Sequence, residues 1–123
     1  MEIMRYAIQI NDGGPDSEAV TCGYEFIKAA LACGHEVVLV FFYHDGVMNA
    51  FSDPDTQMKG PHWSALAQRG VELLVCTAAS ERRGFAGDAK TFRAGFKPGG
   101  LGSWVDACLR ADRTLVFGRP REA

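Results

Sequence analysis

No window of the 123-residue sequence is apolar for the roughly 20 residues that a membrane-crossing helix needs. The start, Met1-Glu2-Ile3-Met4-Arg5-Tyr6, also lacks the long apolar region of a secretory leader. Both absences point to the cytoplasm and away from a membrane. An excess of charge is missing too. With 13 basic against 15 acidic side chains and a net charge of -2, no overall field draws in a polyanion or an anionic lipid surface. Direct binding of nucleic acid is not expected.

Cysteine is sparse, and its spacing excludes more than its number. The thiols at positions 22, 33, 76 and 108 form neither the Cys-x-x-Cys pair of redox motifs nor the paired spacing of zinc sites. Reduced thiols are the default in the cytoplasm. His35, His44 and His62 are scattered, so no two share one helical face as metal ligands. A phosphate loop is absent as well. Asn11-Asp12-Gly13-Gly14-Pro15-Asp16-Ser17 has neither Gly-x-Gly-x-x-Gly spacing nor a Gly-Lys-Ser/Thr ending, and its two aspartates would repel an anion. A plain turn with a helix cap explains it better. There is no internal repeat and no low-complexity segment.

What is present is an ordinary globular composition, 47% apolar and 23% charged. The length suits one domain, residues 1–123, ending in a loose tail over 118–123. Tyr6–Ile10 reads as a strand, closed by the turn formers of Asn11–Pro15. From Asp16 or Ser17, apolar residues at 19, 22, 23, 26, 27, 30 and 31 recur at helical steps up to Gly34. Glu36–Tyr43 is a nearly continuous apolar run, the pattern of a strand covered on both faces. Strand, helix and strand make a βαβ unit with a right-handed crossover.

His44–Pro61 looks too broken for a regular element and long for a connector, which suggests a binding loop or lid. His62–Gln68 predicts a short helix with Trp63, Leu66 and Ala67 inward. Val71–Val75 reads as a buried strand and Thr77–Arg83 as a short basic helix. Gly84–Gly100 looks like a second mobile segment, helical only over Asp88–Phe96. Leu101–Ala111 repeats the helical pattern through Trp104, Val105, Cys108 and Leu109, and Arg113–Phe117 is a last strand. The alternation predicts an α/β fold, a three-layer α/β/α sandwich on a mostly parallel sheet of four or five strands.

Cys76 then falls where the third strand gives way to a helix. Chemistry in open α/β sheets collects beyond the carboxyl ends of the strands, where the next helix presents unpaired N–H groups that favour thiolate. Arg82 and Arg83 add positive charge of unstated direction. The pattern fits both an active thiol and a buried strand residue. Cys22 and Cys108 lie on apolar stripes and Cys33 ends a helix, so all three are expected to pack as small hydrophobes.

His44 ends its strand on the same sheet edge as Cys76 if the strands are parallel, where it could exchange protons near neutral pH. A solvated loop residue is the plainer reading, and no Asp or Glu completes a triad. Lys90, Arg93 and Lys97, with Arg82 and Arg83, form either a solvated surface or a positive rim facing an acidic protein. Met48, Phe51 and Met58, with Phe85, Phe92 and Phe96, offer apolar area that suits contact with other subunits.

Three segments together resemble the DsrE/TusD sulfurtransferases of bacterial sulfur relay: Phe41-Phe42-Tyr43-His44-Asp45-Gly46-Val47-Met48-Asn49-Ala50, Val75-Cys76-Thr77-Ala78-Ala79-Ser80-Glu81-Arg82-Arg83-Gly84, and Gly100-Leu101-Gly102-Ser103-Trp104. The similarity runs from Tyr6 to Phe117. It implies a DsrEFH-like fold and a functional cysteine, matching Cys76, that takes sulfane sulfur as a persulfide and hands it to another protein's cysteine, in tRNA 2-thiolation or in sulfur oxidation. It implies no cofactor and no metal. Implied partners are DsrF/TusC- and DsrH/TusB-like subunits in a hetero-oligomer, or copies of this chain in a homo-oligomer, and TusA-like and DsrC/TusE-like proteins for sulfur exchange. The Asn-Asp-Gly-Gly-Pro loop and the tail from Gly118 depart from the family pattern.

Such a thiolate is nucleophile towards a donor persulfide and leaving group towards an acceptor. Two alternatives stand beside this reading. One is a non-catalytic assembly subunit in which Cys76 only packs. The other is a flavodoxin-like module for a nucleotide or flavin, weakened by the missing phosphate loop.

Overall fold

A computed structural model describes residues 2–14, 16–51, 60–85 and 92–119. The first strand, β1 (Arg5–Ile10), leads into α1 (Glu18–Ala32). Ser17 caps this helix, its hydroxyl oxygen accepting the Val20 N–H at 3.2 Å while its O–H donates to Asp12 at 2.7 Å. A cap of this kind stabilises a helix by about 1 kcal/mol. Gly34, at φ 85°, ends it in the left-handed region.

β2 (Glu36–Phe42) follows, then a 3-10 segment (His44–Ala50), α2 (Trp63–Gln68), β3 (Leu73–Cys76) and α3 (Thr77–Arg82). β4 (Phe96–Gly99), α4 (Leu101–Arg110) and β5 (Arg113–Phe117) complete the described elements. The sheet runs β4-β3-β2-β1-β5 with every pairing parallel. All five carboxyl ends therefore lie on one edge, which places the residues after β1, β2 and β3 side by side.

Packing on the two faces follows from strand alternation. On one face Tyr6 meets Phe26 of α1 edge-on, with ring centroids 5.1 Å apart, and Phe42 meets Trp63 of α2 at 4.9 Å. On the other, Phe41 stacks on Trp104 of α4 at 6.0 Å. Phe41, Phe42 and Trp63 are fully buried, each stabilising the fold by roughly 2–3 kcal/mol through lost apolar surface. The expected three-layer α/β arrangement is thus present, with α1 and α2 opposite α4.

Two expectations about the long connections need correction. His44–Ala50 is regular, because the chain crosses the end of β1 tightly enough to wind into 3-10 turns. A Cβ on Gly46 would sit 1.9 Å from the Ile10 carbonyl oxygen, so only glycine allows that crossing. The stretch before Gly100 contains β4 where no strand was expected. Pairing with β3 imposes extended structure on a poor strand sequence, and Pro98 is tolerated because β4 is an edge. Phe92 bridges to Phe51 and residues 92–96 are not helical. The remainder of the helix expected over Asp88–Phe96, together with Met58, Lys90 and tail residues 120–123, lies outside the described residues.

The exposed apolar surface also differs from expectation. Phe96 is buried, and Phe51 rests on Phe85 and Phe92. Met48 is exposed as expected, and Leu101, Val105 and Leu109, four residues apart along α4, and Val116 of β5 also face solvent. Leu109 is 82% exposed. The apolar positions of α4 form one broad stripe, of which the sheet covers the edge around Ala107 and Trp104 and leaves the edge of Leu101, Val105 and Leu109 open, so periodicity alone did not choose its inner face. Among the described residues no helix is long and apolar enough to cross a membrane.

Candidate functional site

Cys76 closes β3 and is the N-cap of α3. Its sulfur accepts the Ala79 N–H at 3.4 Å, a donor that gains strength as charge grows on the sulfur. The turn is fixed around it. Ser80, fully buried, donates its hydroxyl to the Cys76 carbonyl at 3.0 Å, and Thr77 donates to the Gly99 carbonyl of β4 at 3.2 Å. The sequence therefore places a thiol at a strand-to-helix junction on the edge where all the strands end.

Access to that thiol is the main constraint on the site. Cys76 is only 3% exposed in the single chain, the buried member of the two readings its pattern allowed, whereas sulfur carriage needs a sulfur that a donor can reach. The 3-10 segment packs against both β3 and α3, and the sulfur lies on the first turn of its own helix. Conversely, the other three cysteines were expected to be buried, yet Cys22 and Cys33 are exposed and Cys108 is half-buried. The buried face of α1 is centred on Val20, Gly23, Ile27 and Ala30. At 100° per residue Cys22 lies about 120° from that centre, beyond the margin of the stripe.

Arg82 and Arg83 end α3, about 9 Å of helix rise from Cys76. Arg82 Nε donates to the Ala78 carbonyl at 3.3 Å. Arg83 Nη1 donates to the Ala79 carbonyl at 3.0 Å, and its Nε pairs with the Asp45 carboxylate at 2.9 Å. Both thus bond oxygens of α3 or the 3-10 segment, and neither bonds the sulfur. Asp45 was not singled out in the sequence, since its partner lies 38 positions away.

His44 does share the edge with Cys76, because β2 and β3 run parallel with Phe42 opposite Val75. It adopts φ 50°, and its ring stacks on Tyr43 at 3.9 Å. Burial holds its pKa below the ordinary 6.5, the Arg83 and Arg82 charges push the same way, and Asp45 opposes them. The neutral imidazole is favoured. No hydrogen bond joins it to Cys76 among the described residues.

Asn49 is a second residue the sequence did not flag. Its amide donates to the Asp12 carbonyl at 3.0 Å and the Gly46 carbonyl at 2.9 Å, and its oxygen accepts the Trp63 indole N–H at 3.3 Å. Arg93 donates to the Asn49 carbonyl at 3.3 Å. One side chain thereby ties the end of β1, the 3-10 segment and α2 together. Arg93 serves this network, which leaves Arg82 and Lys97 as the exposed members of the expected positive rim among the described residues.

Two other features bear on ligands. In the loop before α1, the Asp12 carboxylate accepts from Gly13 N–H at 2.9 Å and from Ser17, taking donors that a phosphate would use. A cleft of about 340 Å³ lies between α4, β2 and β3, lined by Leu39, Glu72, Leu74, Gly102, Ser103, Asp106 and Arg110, and does not include Cys76. Among the described residues no group of His, Cys, Asp or Glu could hold a metal ion.

These features define a small parallel α/β domain with one thiol capped by an amide at the carboxyl edge of its sheet. The chain belongs to the DsrE/DsrF-like family, which it matches over residues 4–117. It is 39% identical to the DsrE protein of Allochromatium vinosum, in an alignment covering 94% of this chain and 99% of that protein. It is 35% identical to sulfurtransferase TusD of an Enterobacter species, covering 93% and 100%. The crystal structure of the ychN protein from E. coli superposes with a TM-score of 0.72 at 20% identity, over 93% of this chain and all of that one, a likeness of fold.

Proposed function

We propose that this protein is a sulfurtransferase of a sulfur relay and that it carries the transferred sulfur as a persulfide on Cys76. The observation that carries the reading is the Ala79 N–H aimed at a strand-end sulfur, in a chain whose relatives over nearly their full length include a named sulfurtransferase. The Cys76 thiolate attacks the terminal sulfur of a donor protein's persulfide, forming a Cys76 persulfide and releasing the donor thiolate. An acceptor thiolate then attacks that terminal sulfur and expels the Cys76 thiolate. One sulfur atom moves at each step, with no net oxidant or reductant, and the thiol protons exchange with solvent.

TusA-like and DsrC/TusE-like proteins are the donor and acceptor class this reading implies, in tRNA 2-thiolation or sulfur oxidation. DsrF/TusC- and DsrH/TusB-like subunits, or further copies of this chain, are the assembly partners. Exposed Leu101, Val105, Leu109 and Val116 offer apolar surface for such contact.

A second reading rests on the 3% exposure of Cys76. In it the chain is an assembly subunit whose buried cysteine only packs. Incubation with a persulfide donor followed by intact mass measurement separates the two. The carrier gains one sulfur, keeps that gain when Cys22, Cys33 and Cys108 are changed to Ser, and loses it with Cys76→Ser. Sulfur uptake that survives Cys76→Ser refutes the carrier reading, as does its absence from the protein that retains only Cys76.

A further inference from the structure

The 3-10 segment beside β3 and α3 has a specific fastening. Two ties join the 3-10 segment to the end of α3, both within a few residues of each other. Asp45 pairs with Arg83 at 2.9 Å, and Phe51, just past the segment, stacks on Phe85 with ring centroids 4.2 Å apart and planes at 22°. The ionic tie reaches the sulfur through one residue. Arg83 Nη1 holds the Ala79 carbonyl at 3.0 Å, and the Ala79 N–H faces the Cys76 sulfur at 3.4 Å. The segment so fastened is one of the elements packed against β3 and α3.

We propose that the Asp45–Arg83 pair is a latch that keeps the 3-10 segment closed over Cys76, so that reaction at the sulfur waits on its release. The inference rests on Cys76 being the sulfur carrier, since only then does its access matter. The side chains of Arg83 and Asp45 are 25% and 33% exposed, so the pair is neither sealed in the core nor fully solvated. A pair at that depth is strong enough to bias a local opening and weak enough to be undone. Acidic side chains on a docking protein are the groups that would compete with Asp45 for Arg83.

The test measures iodoacetamide alkylation of Cys76 in protein carrying Cys22→Ser, Cys33→Ser and Cys108→Ser, followed by mass. Where closing outpaces alkylation, the rate reports the open population. Asp45→Asn and Arg83→Gln each raise the rate by up to about fivefold, as expected for loss of a partly exposed pair. Both remove the Asp45–Arg83 pair, while Arg83→Gln also frees the Ala79 carbonyl, so the gain in the double variant falls short of the product of the two single gains. Arg83→Lys, which keeps the charge, stays near the parent rate. Added salt speeds the parent and leaves Asp45→Asn unmoved.

Parent-like rates in both single variants overturn the latch. So do single effects that multiply in the double variant, which would mark two independent structural losses. If the variants unfold, the salt dependence of the parent decides, and a flat response refutes the proposal. Sulfur uptake on Cys76, measured in the same background, reports separately on the carrier reading.

Discussion

Gly46→Ala is the sharpest single perturbation of the architecture that positions the site. The added Cβ would meet the Ile10 carbonyl oxygen at 1.9 Å and its carbon at 2.7 Å, both backbone atoms in the buried end of β1. Neither can swing aside, so the 3-10 segment must lift. Overpacking of this kind destabilises by about 1–3 kcal/mol. Lifting also strains the Tyr43 N–H bond to the Ile10 carbonyl, 2.9 Å long, which adds about 1 kcal/mol. The expected loss is therefore about 2–4 kcal/mol, or roughly 8–16 °C in Tm for a domain of this size.

Urea and thermal unfolding followed by circular dichroism measure it, and Gly102→Ala supplies the contrast. Gly102 lies in α4 with nothing within 4 Å of an added Cβ, so alanine there is neutral or stabilising by up to about 1 kcal/mol. A Gly46→Ala protein within about 0.5 kcal/mol of the parent, the range of ordinary surface changes, would refute the close-crossing argument.

Trp63→Ala removes a fully buried indole packed on Phe42 and Tyr24 and is expected to destabilise by about 3–5 kcal/mol in the same unfolding assays. In native protein, alkylation followed by peptide mapping should rank Cys22 and Cys33 fastest, Cys108 slower and Cys76 slowest, following their exposure; a Cys76 as fast as Cys22 contradicts the burial described. Proton NMR of the His44 ring should show a midpoint below 6.5, moving upward in Arg83→Gln as a positive neighbour is removed. Because its folded value is depressed, the unfolded chain binds more protons between that value and 6.5, so stability rises with pH across this window. Replacing His44 with Gln should remove that part of the pH slope.

Local chemistry carried the strongest features of the chain. The Ser17 cap, the continuous apolar run of β2 and the strand that ends at Cys76 were legible because each is written in contiguous residues. The inner face of α4 was not, since Val105 and Leu109 share its apolar pattern yet face outward. The sequence separates Cys76 from Cys22, Cys33 and Cys108 by local pattern, but their exposures came out reversed. Helical periodicity names a stripe, and the neighbouring elements decide which part of it is covered.

By itself, then, the sequence determined the α/β alternation, the family and the strand-to-helix position of one thiol, all consequences of short-range pattern. Tertiary structure alone decided that β4 is a strand, that Asp45 meets Arg83 across 38 positions and that the Cys76 sulfur is sheltered. Each of these depends on segments far apart in the chain being brought together by burial of the sheet's two faces. No local propensity encodes such a meeting.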